Sequence, residues 1–143
     1  MKALYLIARI ADEIVALPAS AVGSVVEVDQ IAPVPRVAPH IAGLFALRSR
    51  VLTLIDSRAA LDLGAVDRES GMTAVVIECE GHSYALLVDE VEDVIESGPP
   101  EPCPALLRHA WRRAAIGTIQ HSGNAILLID PAAIVAGPES IAA

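Results

Sequence analysis

The chain has 143 residues and a mass of 14.9 kDa, enough for one ordinary domain or two very small lobes that share a core. It is 54% hydrophobic with a mean hydropathy of +0.53, which excludes a disordered chain. Eighteen acids against ten bases leave a net charge of −8, which excludes binding nucleic acid through global charge, and a single lysine, Lys2, gives no polybasic membrane patch.

The hydropathy resides in short runs. Residues 14–26 form a stretch of 13 without a charge but contain Pro18, Ser20, Gly23 and Ser24, and residues 114–129 form one of 16 broken at 120–124. A bilayer needs about 20 apolar residues in one helix, so direct membrane insertion is not expected. The first residues lack the pattern of a signal peptide, and Cys79 and Cys103 make no disulfide framework of the secreted kind. The expectation is a cytoplasmic protein.

Runs of Val, Ile, Leu and Ala, five to eight residues long and separated by Gly, Pro, Asp and Ser, read as strands. In chain order they fall near 3–10, 14–17, 22–28, 43–48, 51–55, 72–80, 82–88, 91–96, 115–121 and 124–130. Glu80-Gly81 and Ser122-Gly123 have the form of two-residue hairpin loops. Alternation over Thr73, Val75, Ile77 and Cys79 points that set inward. Three short helices are expected: after Asp56 as N-cap, over 104–113 with Pro104 in the first turn, and after Asp130 with Pro131 at the first position. The tail after Gly137 is expected to fray.

Five strands occur twice. An offset of 69 lays Ala16-Leu17 on Ala85-Leu86, Val22 on Val91 and Glu27 on Glu96. An offset of 74 lays Gly43 on Gly117, Leu54 on Leu128 and Asp56 on Asp130. Prolines cluster between the third and fourth strands of both halves. An internal duplication follows, with lobes at about 1–66 and 67–143 and the first strand free to complete the other lobe. A lobe of that size supports little core alone, so the two are expected to pack apolar faces together.

Sites for chemistry are scarce. His40, His82, His109 and His121 are scattered and read as surface or loop residues, and neither they nor the cysteines have metal-ligand spacing. The acidic run 89–93 departs from a calcium loop and reads as a solvated strand edge. Cys79 reads as a small buried hydrophobe and Cys103 as a loop thiol without an activating neighbour. Glycines do not cluster into a phosphate loop, and Asp56 and Asp130 are explained by capping. No catalytic residue, metal or cofactor is expected; the competing enzyme class is a small hydrolase with a Ser/His/Asp set. Arg48, ending an apolar strand, is the residue best suited to an interface because its planar fork joins charge to apolar contact.

The stretch 41–58, Ile-Ala-Gly-Leu-Phe-Ala-Leu-Arg-Ser-Arg-Val-Leu-Thr-Leu-Ile-Asp-Ser-Arg, resembles the signature of the CheW-like chemotaxis coupling proteins. Ile14-Val15-Ala16-Leu17-Pro18 with Val22 and Val25, Leu87-Val88-Asp89-Glu90-Val91 with Val94, and Leu127-Leu128-Ile129-Asp130 are similar to other segments of that family. The resemblance implies an all-β fold with a few short helices, built as two packed five-stranded SH3-like barrels. It implies a non-enzymatic adaptor that couples the cytoplasmic tip of methyl-accepting chemoreceptors to the regulatory domain of a CheA-type histidine kinase, recruited to membrane receptor arrays. Receptor contact would fall on Val22, Ser24 and Arg48, and kinase contact on the second lobe, with Asp89, Val91 and Asp93 as candidates. Ala46, Ser49, Thr53 and Ser57 stand where the family usually has Asn, Gly, Pro and Leu, and Ser24 where it commonly has an acid. These departures raise the alternative of a divergent module, in a pathway for pili, biofilm or development, that binds the kinase without the usual receptor.

Overall fold

The computed structural model describes residues 2–65, 72–105 and 107–138. The boundary expected at 66–71 and the tail beyond 138 lie outside the described residues. Ten strands form two five-stranded sheets: β1 (Ala3–Ile10), β2 (Glu13–Pro18), β3 (Val22–Val28), β4 (Ile41–Leu47), β5 (Arg50–Asp56), β6 (Met72–Cys79), β7 (His82–Val88), β8 (Glu90–Ser97), β9 (Ala115–His121) and β10 (Asn124–Ile129). Three short helices, α1 (Ser57–Ala60), α2 (His109–Arg112) and α3 (Pro131–Ala136), complete the described fold.

One sheet runs β8-β1-β2-β10-β9 and the other β3-β6-β7-β5-β4. These orders are the same once each strand is advanced by five. Each half of the chain therefore gives its first hairpin to the sheet built by the other half. The registers repeat as well. Val22 pairs with Ile77 and Ser24 with Val76, while Val91 pairs with Ala8 and Asp93 with Ile7, with a bulge at Gly23 in one ladder and at Glu92 in the other. The parallel pairs Thr53–Tyr84 and Leu127–Val15 correspond in the same way. Duplication thus holds ladder by ladder. The sheets curl without a ladder that closes either one among the described residues, which leaves a seam between β3 and β4 and another between β8 and β9.

Hairpin exchange puts the six central strands between two apolar layers. On β6, Val75 and Ile77 join Leu6, Val15, Leu17, Leu86, Leu127, Ile129 and Trp111 in a core shared by the sheets. Its alternate residues Met72, Ala74 and Val76 pack with Phe45, Leu52 and Leu54 inside one curled sheet. Tyr5, Ile7, Ala16, Ile119 and Leu128 do the same in the other. The period-2 reading of β6 is therefore corrected. Val75 and Ile77 face inward as expected, but both faces are buried, and Cys79 at the strand end is only half-buried.

The repeated glycines have a steric cause. A Cβ on Gly43 would lie 2.5 Å from the Ala32 carbonyl oxygen, and one on Gly117 would lie 2.8 Å from that of Glu101. At both places the proline-rich connection crosses the edge strand and exchanges two hydrogen bonds with it, Ala32 with Leu44 and Glu101 with Thr118. Only a residue without a side chain admits that crossing. Two-residue hairpin loops occur where read, with φ of 52° and 81° at Glu80-Gly81 and 53° and 81° at Ser122-Gly123.

Asp56 and Asp130 cap their helices as expected, accepting from the Ala59 N–H at 3.1 Å and the Ala132 N–H at 3.0 Å. The expected helix over 104–113 shrinks to one turn starting at His109. Arg108 before it is extended, with φ −57° and ψ 146°, and supplies no side-chain cap. His40 is also corrected: it is not a surface residue but buried, with Nε2 2.9 Å from the Val135 carbonyl oxygen. No helix among the described residues is long and apolar enough to cross a membrane.

Candidate functional site

Residues expected on the first lobe converge at the seam between β3 and β4. Val22, Ser24, Leu47, Arg48 and Arg50 line a groove of about 590 Å³, with Val76 and Ile77 of β6 at its floor and Glu78 and Ser83 beside it. The local sequence explains the shape. Pro18 ends β2, a 3-10 turn at Ala19–Ala21 redirects the chain, and the bulge at Gly23 bends β3 away from the edge it would otherwise meet. Opposite, the β4–β5 turn projects Arg48 and Arg50 from the rim.

Arg48 has φ of 59°, left-handed backbone that a non-glycine residue adopts at a cost, whereas Ser49 has no positive φ. Positive φ at the first central position alone is the turn pattern that favours glycine there. The guanidinium is exposed and has no carboxylate partner among the described residues. Arg50 donates to the Ser83 hydroxyl. Val22 is half-buried against the shared core, and Ser24 is exposed on the opposite wall. The groove thus offers an apolar floor, three serine hydroxyls besides the one that Arg50 holds, two cations and the Glu78 carboxylate, a net positive rim that suits adhesion to a surface with apolar and acidic features.

The second-lobe candidates separate. Asp89 is engaged within the fold: its carboxylate takes the Arg58 guanidinium, with Nη2 to Oδ2 at 2.8 Å, and accepts the Ala11 N–H at 2.8 Å. The hydrogen bond to Asp89 is the main cause that raises the Arg58 pKa above its ordinary value. Val91 is half-buried against the shared core. Asp93 is exposed on β8, its Oδ1 2.8 Å from the Val94 nitrogen. The acidic run is therefore not uniformly a solvated edge, because Glu92 also meets Arg9 at 2.6 Å. Arg58 and Arg9 escaped the sequence reading because their acids lie 31 and 83 residues away and no local pattern links them.

Among the described residues, no three His, Cys, Asp or Glu side chains group as a metal site. Another cavity, of about 690 Å³, lies elsewhere, between α1 and α2, and is lined by Leu61, Asp62, Arg108, His109 and Arg113. Arg113 is committed there to the carbonyl oxygens of Gly137 at 2.7 Å and Ala60 at 3.2 Å.

Comparison with known proteins agrees with this architecture. The chemotaxis protein CheW of Rhizobium meliloti (strain 1021) is 26% identical over 100 residues, which span 68% of this chain and 64% of that protein. The crystal structure of the scaffolding protein TtCheW from Thermoanaerobacter tengcongensis superposes with a TM-score of 0.79 at 22% identity, covering 91% of this chain and 90% of that one, and so shares the fold. The model of the CheW-like domain matches residues 4–139. With two hairpin-exchanged sheets and a match over nearly its full length, the chain belongs to the CheW-like domain family.

Proposed function

We propose that the protein is a non-enzymatic adaptor that couples the cytoplasmic tip of a chemoreceptor to the regulatory domain of a CheA-type histidine kinase. The observation that carries this reading is the groove in which Val22, Ser24 and Arg48 meet over an apolar floor. Family membership and the names of the similar proteins, one a chemotaxis protein and one a scaffolding protein, support it. Receptor contact is assigned to that groove and kinase contact to the second lobe. A standard interface takes about 800 Å² per partner, so two occupy about a fifth of the 7,968 Å² surface. Such a protein turns over nothing. It passes signal as a coupling free energy between two binding sites, by favouring the partner states that fit together. Its place is then at membrane receptor arrays.

The test is a titration of the full chain against a kinase regulatory domain and a receptor-tip fragment, separately and together. Binding to both with a ternary complex supports the adaptor. Binding to the kinase domain alone overturns receptor coupling and leaves a kinase-only module.

A further inference from the structure

The two-fold relation between the sheets duplicates the groove as well as the strands. At the seam between β8 and β9 lies a second groove of about 510 Å³. Its residues Ile7, Ile14, Glu92, Asp93, Ser122 and Asn124 hold the places taken in the first groove by Val76, Ser83, Gly23, Ser24, Arg48 and Arg50. Shape is repeated while charge is inverted. Where the first groove has two arginines and one acid, Glu78, the second has Asp12, Glu13, Glu92 and Asp93 around Ile14 and Ala125. Arg9 pairs with Glu92 and also feels the charges of Glu90 and Asp12 at longer range. Asp12, Glu13 and Asp93 have no ion-pair partner among the described residues, and Ile14 is 38% exposed.

We propose that this second groove docks an extended, cationic segment of a partner protein, one with apolar residues flanked by arginine or lysine. Three features select that occupant. Edge strand β8 has one side without a ladder, which a segment of extended chain can use, whereas the outer side of β9 is already taken by Glu101 at Thr118 and by the Ser97 hydroxyl at the Gln120 carbonyl. Apolar side chains fit over Ile14 and Ala125. Flanking cations reach Asp12, Glu13 and Asp93, which are spread along the rim and do not group as metal ligands. The proposal stands on the geometry of the two grooves and needs neither the receptor nor the kinase assignment.

The test titrates the ¹⁵N-labelled full chain with a decapeptide of alternating arginine and valine, and with its glutamate counterpart. Saturable shifts are expected at amides 12–14, 92–94 and 121–126, with none there from the glutamate peptide. Asp93→Asn combined with Glu13→Gln should weaken binding about tenfold, whereas Glu27→Gln combined with Glu101→Gln should change it less than about twofold. Shifts spread over the whole acidic surface, shifts centred on Arg48, or equal weakening by both double variants would overturn the proposal. Concentration-dependent shifts of the same amides without peptide, with dimers in sedimentation velocity, would assign the groove to a second copy and overturn it equally. Neither receptor nor kinase enters the experiment, so its failure is distinct from failure of the adaptor reading.

Discussion

Arg58 on α1 holds Asp89, at the junction of β7 and β8, through Nη2–Oδ2 at 2.8 Å and Nε–Oδ1 at 3.1 Å. The same carboxylate holds the β1–β2 turn through the Ala11 N–H. One acid thus ties a helix that follows one sheet to a hairpin of the other. Side-chain exposure is 29% for Arg58 and 16% for Asp89, so solvent screens the pair only in part.

Asp89→Ala leaves a guanidinium and a backbone donor without their acceptor and should cost about 1–3 kcal/mol. Asp89→Asn keeps one acceptor and should cost less. Urea unfolding of both variants, with Arg58→Ala to close a double-mutant cycle, measures the coupling. Because the folded-state pKa of Arg58 is raised, its contribution is full below the ordinary arginine range and is lost only as pH rises through the folded value. The Arg58 contribution should therefore be constant between about pH 6 and 9.

Gly137 ends α3 with φ of 87°, and a Cβ there would lie 2.4 Å from the His40 ring. Gly137→Ala meets both a backbone penalty and a buried ring held by the Val135 carbonyl. It should destabilise by about 1–3 kcal/mol, read as a lower Tm. The double variant with His40→Ala should recover part of that loss, which a purely conformational cost would not allow.

Gly43→Ala and Gly117→Ala should not be equivalent. Both place a methyl against a carbonyl oxygen, but Gly43 also has φ of 146°. Each should destabilise, Gly43→Ala by about 1 kcal/mol more than Gly117→Ala, in parallel denaturant melts.

Arg48 separates stability from binding. Arg48→Glu changes an exposed side chain and should move stability by about 0.5 kcal/mol or less, while abolishing binding to a receptor-tip fragment. Arg48→Gly relieves positive φ and should cost no stability, or gain up to about 1 kcal/mol, with the same loss of binding. Retained receptor affinity in either folded variant would remove Arg48 from the groove's function.

Strand positions were legible because β-branched runs with Gly and Pro boundaries report local conformation. Repetition of Gly43 as Gly117 and Asp56 as Asp130 also revealed the halves as copies. Pairing was less legible: similarity says which strands are alike, not which ones meet, so only a one-strand exchange was foreseen where whole hairpins exchange. Arg48 stood out from its place at a strand end, but its meeting with Val22 in one groove was readable only through family resemblance, since the two are 26 positions apart and share no local pattern. His40 and Asp89 were misplaced for one reason. Polar residues in a loop or at a strand edge read as solvated until their partners, 95 and 31 residues away, come into view.

The exchange of hairpins also sets a schedule for synthesis. Arg9 of β1 waits for Glu92 of β8, 83 residues later. At about 5–20 residues per second, that is a delay of about 4–17 s in which the apolar β1–β2 hairpin has left the ribosome without its sheet. Nascent chains halted before β8 should therefore be avid chaperone substrates, and the Leu-Tyr-Leu-Ile run of β1 should be the segment they present.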